Sequence, residues 1–181
     1  QLVKDSASLF VEGYMWNDPH SKQAIRYGME ISKQAGRKIV FSPSDVFCIE
    51  NHHQEMLDLV EQSDVVFANE EETKALYGKE TYDEAQEAIR GHCHVAVITR
   101  GEKGCVVVTK EQTVVVPAAP VGEVVDTTGA GDLFAAGFLY GYLREWDLRE
   151  CAELGAQCAG EIIQHMGART MKPLKQFVKA A

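Results

Sequence analysis

Val95-Ala96-Val97-Ile98-Thr99 narrows the choice of fold more than any other segment, because it is β-branched and has no charged face. A strand of that kind is covered on both sides, as in a mostly parallel sheet with helices over each face. Other short apolar runs fit the same sheet: Ser8 to Tyr14, with a glycine at position 13, Lys38 to Ser42, closed by Pro43, and Asp64 to Ala68. The segments between them have helical spacing. These are His20 to Gly36 (Ala24, Ile25, Met29, Ile31), Asn51 to Gln62 (Met56, Leu57, Val60), Asn69 to Tyr77, stopped by Gly78, and Tyr82 to Arg90.

Strand and helix therefore alternate, which predicts a doubly wound α/β layer with ligands at the C-terminal ends of the strands. Cys105 to Thr109 and Thr113 to Val116, joined by Lys110-Glu111-Gln112, suggest a hairpin added at a sheet edge. After Asp126 the pattern is helical: Gly131 to Glu145, Leu148 to Met166 and a short Lys172 to Lys179. No repeat, low-complexity tract or linker interrupts the chain, so residues 1–181 read as a single α/β domain.

Composition excludes several kinds of partner. Eighteen Lys and Arg against 27 Asp and Glu give a net charge of -9, which repels a nucleic-acid backbone or an anionic membrane surface. A small anionic ligand is still compatible, since helix N-termini, glycine-loop amides and Mg²⁺ hold phosphate locally. Five cysteines without a CxxC pair predict free thiols and a cytoplasmic setting. Leu133 to Leu143 is apolar but too short to span a bilayer. The chain opens in ordinary amphipathic sequence without a signal peptide, as a truncated chain would. His52-His53 and His92-Cys93-His94 lack a second pair at structural-zinc spacing, and solvent exposure is the simpler reading of His92 and His94.

The most informative segment is Asp126-Thr127-Thr128-Gly129-Ala130-Gly131-Asp132, ahead of the apolar helix. Two glycines around an alanine allow a tight turn with exposed N–H groups, and the helix adds its positive end to the same spot. Asp132, in the first turn, is placed to accept a proton from a hydroxyl in line with a bound phosphate. The dipole lowers its basicity, but phosphoryl transfer relies mainly on positioning and charge neutralisation. A lone GxG followed by Asp also has a plainer reading, a turn with a carboxylate complementing the dipole. A dinucleotide fingerprint fails because Phe134 stands at its sixth position, and no GxxxxGK[ST] loop is present.

The run Asp126 to Phe134, continuing Ala135-Ala136-Gly137-Phe138, closely resembles the C-terminal signature of the PfkB family, which includes ribokinases, fructokinases and adenosine kinases. The resemblance implies a ribokinase-like fold and an ATP-dependent kinase with Asp132 as base. The amides of Gly129, Ala130 and Gly131 become the anion hole, and Thr127 an ATP contact. Asp126 and Thr128 would lie near a monovalent-cation site, with K⁺ the candidate ion. Asn69 and Glu72 fall on the family's Asn-x-x-Glu motif, in which the Glu organises Mg²⁺, here through water, and phosphate. By pattern alone Asn69-Glu70-Glu71-Glu72 is a helix-capping box, and the two roles are compatible. Thr99, Gly101 and Gly104 resemble the Thr-x-Gly-x-x-Gly nucleotide loop, otherwise a strand-to-hairpin turn, with Arg100 or Lys103 facing phosphate. The Gly167-Ala168 stretch corresponds to one near the nucleotide and cation sites.

Leu9 to Trp16, Ser42 to Cys48 and Phe67 to Glu70 are similar to a bacterial adenosine-kinase-like or sugar-kinase-like subgroup. That likeness implies transfer of the γ-phosphoryl group to a primary hydroxyl of a nucleoside or related sugar. The N-terminal portion with the family's Gly-Gly substrate motif and β lid is missing here. The isolated chain is therefore expected to bind nucleotide weakly, turn over little and associate through an exposed sheet edge, as in a homodimer. A noncatalytic nucleotide-binding or assembly module is the alternative.

Overall fold

The computed structural model describes residues 1–178, which fall into two compact units. The first comprises residues 1–98 and 108–113, and the second begins with residues 99–107 and resumes at 114. No linker marks the division because the chain passes between units at or inside β-strands, where composition does not change.

The first unit opens with a single helical turn, α1 (Leu2–Asp5), and then alternates strands with helices. Its strands are β1 (Ser8–Glu12), β2 (Lys38–Ser42), β3 (Val65–Asn69) and β4 (Val95–Thr99, with Thr99 counted in the second unit). They lie side by side in that order. β1 and β2 are parallel with Ser8 opposite Lys38 and Glu12 opposite Ser42, and β2 and β3 are parallel with Val40 opposite Val65. Asp64 sets this register: its N–H donates to the Ile39 carbonyl at 2.8 Å and its carboxylate accepts from Ile39 N–H at 2.8 Å. Its own carbonyl accepts from Val95 N–H at 3.0 Å. Val40, Phe41, Val65, Val66, Val97 and Ile98 are wholly buried, the two-sided burial expected of apolar parallel strands.

The helices of this unit start where local chemistry starts them. In α2 (Pro19–Gln34), Asp18 caps the Ser21 N–H at 2.7 Å and Pro19 occupies the first position. Capping boxes open α5 (Glu70–Tyr77) and α6 (Tyr82–Ile89), and Gly78 closes α5 in the left-handed region. The helix expected over Asn51 to Gln62 is α4 (His53–Glu61), and a further helix that the pattern did not show, α3 (Val46–Asn51), precedes it and ends at His52. Asp45 starts α3 by accepting from Cys48 N–H at 2.6 Å, a cap hidden in sequence by the preceding Ser-Pro-Ser.

In the second unit, β5 (Cys105–Val108) and β6 (Thr113–Val116) are neighbours, the expected hairpin. Its tip, residues 108–113, belongs to the first unit, where Thr109 N–H meets the Gln112 carbonyl at 2.9 Å. Two helices follow, α7 (Ala130–Tyr142) and α8 (Leu148–Ile162). Their backbones press together at Gly137 and Gly155. A Cβ on Gly137 would meet Leu154 O at 2.9 Å and one on Gly155 would meet Phe134 O at 2.8 Å.

Both helices are shorter than their sequence patterns. α8 stops at Ile162 because the next carbonyl, of Ile163, accepts from Val125 N–H at 2.8 Å and Asp126 N–H at 3.3 Å. α7 stops at Tyr142, and Glu145 turns to a φ of 61°. Only a 3-10 turn, Leu174–Phe177, appears within the expected Lys172 to Lys179 helix, and Lys179 lies outside the described residues. Among the described residues no helix is long and apolar enough to cross a membrane.

Phe41, at the centre of β2, is completely buried. Phe41→Ala is expected to destabilise the protein by about 3–5 kcal/mol, measured by urea unfolding. A loss below about 1 kcal/mol would mean that this strand is not part of the core.

Candidate active site

The loop from Val125 to Gly131 is held by one carboxylate. Asp126 Oδ1 accepts from Thr128 N–H at 2.9 Å and from the Thr128 hydroxyl at 2.7 Å, while Oδ2 accepts from Gly167 N–H at 2.9 Å. These bonds, the one from Gly167 first and those from Thr128 next, hold the Asp126 carboxyl below its usual range. The turn after α8 is thereby tied to the loop before α7. Gly129 then adopts a φ of 79°, and a Cβ there would stand 3.0 Å from the Cβ of Ala168. Glycine is required twice over, by backbone conformation and by contact.

Helix α7 begins from that residue. The Ala130 N–H turns back to the Thr127 carbonyl at 3.1 Å, so the expected three-amide anion hole is narrowed. The N–H groups of Gly129 and Gly131 meet no acceptor among the described residues. Asp132 sits in the first turn, exposed, with no hydrogen-bond or ion-pair partner among the described residues. Two open donors and a free carboxylate are thus adjacent at the positive end of a helix of 13 residues.

Within the same unit a cavity of about 710 Å³ gathers Thr99, Gly101, Gly104, Thr127, Ala130 and Gly131. Two motifs nearly thirty residues apart in sequence share this wall, and the volume is that of an ordinary small-molecule site. Gly104 has a structural task here: at a φ of 88° its absent Cβ would fall 2.1 Å from Val116 O, and the Arg100 N–H closes the turn on its carbonyl at 2.8 Å. Arg100 and Lys103 do not line the cavity.

The remaining wall was not foreseen. It comes from Ala118, Ala119, Val121 and Val124 and from Ala156, Ala159, Gly160 and Ile163 of α8 and its end. Small residues recurring at helical spacing in α8 were the available signal, but a close helix contact produces the same pattern, as Gly155 illustrates. Glu102 also lines the cavity.

Asn69 and Glu72 belong to the first unit, at the C-terminal end of β3. Asn69 Oδ1 accepts from Glu72 N–H at 2.8 Å, and Glu72 accepts from Asn69 N–H at 2.9 Å and from Asn69 Nδ2 at 2.7 Å. The capping reading therefore holds in full. Glu72 is buried, and its carboxyl is pushed up chiefly by desolvation and further by Asp45 and Glu12, against the pull of Asn69 N–H. Its charge thus costs stability above its own raised pKa, and that cost disappears as pH falls. Both oxygens already accept hydrogen bonds, so the carboxylate is better placed to reach a metal through water than to bind it directly. Among the described residues no group of three His, Cys, Asp or Glu could hold a metal ion.

The family model for pfkB carbohydrate kinases matches residues 1–175. The nucleoside kinase of Methanocaldococcus jannaschii is 31% identical over 123 residues, covering 65% of this chain and 38% of that protein. The cytidine kinase of Thermococcus kodakarensis is 41% identical over 113 residues, covering 61% of this chain and 40% of that protein. Among solved structures, the adenosine kinase of Sinorhizobium meliloti superposes with a TM-score of 0.95 at 40% identity, over 98% of this chain and 55% of that one. The chain spans about half, or less, of the length of the relatives it matches.

The lowered pKa of Asp126 carries a sign. Its hydrogen bonds stabilise the loop above the unfolded value near 3.8, and that stabilisation is lost as pH falls through the lower folded value. The Gly167 amide resonance should therefore stay put from neutral pH down to about 4 and move only below it. Movement near pH 6 would contradict the assignment. Gly129→Ala should lower stability by on the order of 1–3 kcal/mol through its positive φ, read from thermal unfolding.

Proposed function

Because the chain belongs to the pfkB family of carbohydrate kinases, with its ribokinase-like α/β fold, we propose that it moves the γ-phosphoryl group of ATP to a primary hydroxyl of a nucleoside or a related sugar. The observation that carries this reading is the free Asp132 carboxylate beside the open N–H groups of Gly129 and Gly131. A base and an anion-binding pair at one helix end are what phosphoryl transfer to an alcohol requires.

In this reading the donor nucleotide occupies the cavity bounded by Thr99, Gly101, Gly104 and Thr127, with its terminal phosphate directed to the α7 N-terminus. Gly129 and Gly131 N–H groups meet the charge that builds on the transferring group. Ala130, whose N–H is engaged by Thr127, contributes through the backbone turn it completes. Asp132 orients the acceptor hydroxyl and takes its proton as the new P–O bond forms. Exposure and the absence of a protein partner keep that carboxylate available.

Mg²⁺ accompanying the triphosphate would neutralise its charge, and the likeness of Asn69 and Glu72 to the family's Asn-x-x-Glu motif assigns Glu72 to that ion, through water. Asp126 and Thr128 are the residues that would stand beside a monovalent cation such as K⁺. Their side chains already bond each other and Gly167, so their first task is to hold the loop. The acceptor is proposed as a nucleoside because the matched relatives carry nucleoside, cytidine and adenosine kinase names. Five free thiols suit a reducing cytoplasm.

Asp132→Asn in the full-length protein is expected to lower kcat by about 100-fold or more while nucleotide affinity changes little. A coupled ADP-release assay with adenosine, cytidine, ribose and fructose, alongside nucleotide titration, reads both quantities. Equal loss of affinity and turnover would reassign Asp132 to binding. Unchanged turnover would end the proposal that it is the base.

A further inference from the structure

The lining of the cavity divides by chemistry, and the following rests on its reading as the donor-nucleotide site. Thr127, the turn from Thr99 to Gly104 and the backbone at Ala130 and Gly131 form the polar part, suited to phosphate. The rest of the wall includes Ala119, Val121, Phe134, Ala156, Ala159 and Ile163. These side chains are hydrocarbon throughout. A base placed among them is held by buried area, which is nearly the same for adenine and guanine. Strong discrimination between two ligands of similar shape needs hydrogen-bonding groups that one satisfies and the other leaves unpaired. No side chain on this part of the wall can donate or accept.

Among the described residues one ionisable side chain lines the cavity, that of Glu102, on the same turn as Gly101 and Gly104. It is exposed and has no hydrogen-bond or ion-pair partner among the described residues. An ionised carboxylate only accepts hydrogen bonds. The phosphates of a nucleotide also only accept, and like charge keeps them apart from Glu102. With the phosphates on the glycine amides and the base against hydrocarbon, the 2′ and 3′ hydroxyls of the sugar, the unit that joins the two, are donors open to this carboxylate. The other donors, on the base edge, differ between adenine and guanine and would make binding base-selective.

We propose that this protein selects its donor nucleotide through the ribose hydroxyls, by way of Glu102, and not through the base. Purine nucleotides then serve alike, and nucleotides without sugar hydroxyls do not. Glu102 is a specificity-determining residue in this scheme and takes no part in the transfer itself. Its exposure makes substitution compatible with folding.

Calorimetric titration of the wild-type protein and of Glu102→Ala with ADP, GDP and 2′,3′-dideoxy-ADP tests this directly, because binding is read without any turnover. In the wild type, ADP and GDP should bind within about threefold of each other, and the dideoxy nucleotide about tenfold or more weaker, the scale of a hydrogen bond to a charged group. Glu102→Ala should bring ADP down to the dideoxy level and leave dideoxy-ADP unchanged, the coupling expected if residue and hydroxyls interact. ADP binding with GDP more than about tenfold weaker would overturn the inference while leaving the nucleotide site standing. So would an equal loss for ADP and dideoxy-ADP in the variant. Failure of all three nucleotides to bind the wild type would remove the nucleotide site and this inference together.

Discussion

The carboxylate of Asp126 is the contact on which the second unit's site depends. One oxygen holds Thr128 through both its N–H and its hydroxyl, and the other holds the N–H of Gly167. A single side chain thus gathers the start of the glycine loop and the turn beyond α8, segments 41 residues apart. Ala168 then packs against Gly129, and the backbone is committed to the left-handed conformation from which α7 starts. If this tie were lost, the N–H groups of Gly129 and Gly131 would have no fixed direction. Fixed donors matter because preorganised dipoles stabilise developing charge without reorganising.

A second constraint is the use of small residues to bring backbones together. Gly137 and Gly155 let α7 and α8 approach until a methyl group on either would collide with the opposing chain. From the next residue of α8 onward, Ala156, Ala159 and Gly160 face the cavity and leave it roomy. The same residue types therefore close one face of α8 and open another. Gly104 plays the first of these parts in the 99–104 turn, where the backbone of Val116 to Ala118 fills the space a side chain would need.

The chain's net charge of -9 is no obstacle to an anionic ligand, because the cavity's polar groups are largely backbone and hydroxyl. Acidic side chains are managed individually. Glu72 is buried but fully engaged by Asn69, Asp126 is spent on the loop, and Asp132 and Glu102 are left free. Those two unengaged carboxylates carry distinct roles in the proposed mechanism and in donor selection. In those proposals both would accept from hydroxyl groups, one on the acceptor substrate and one on the nucleotide sugar.

The amino-acid sequence by itself determined the strand and helix order, because two-sided burial leaves an unmistakable pattern in Val95 to Thr99 and in the runs before it. It also determined the Asp126 to Asp132 loop, since a turn, open amides and a carboxylate in fixed succession are local chemistry. The early end of α8 and the division into two units were decided by contacts between distant residues, such as Val125 with Ile163. The Ala130 N–H, assigned to the anion by motif, turned to Thr127 because the shape of the loop, and not its composition, directs each amide. Only tertiary structure showed which small residues of α8 face a cavity and which face a helix, for periodicity marks a face without naming its neighbour.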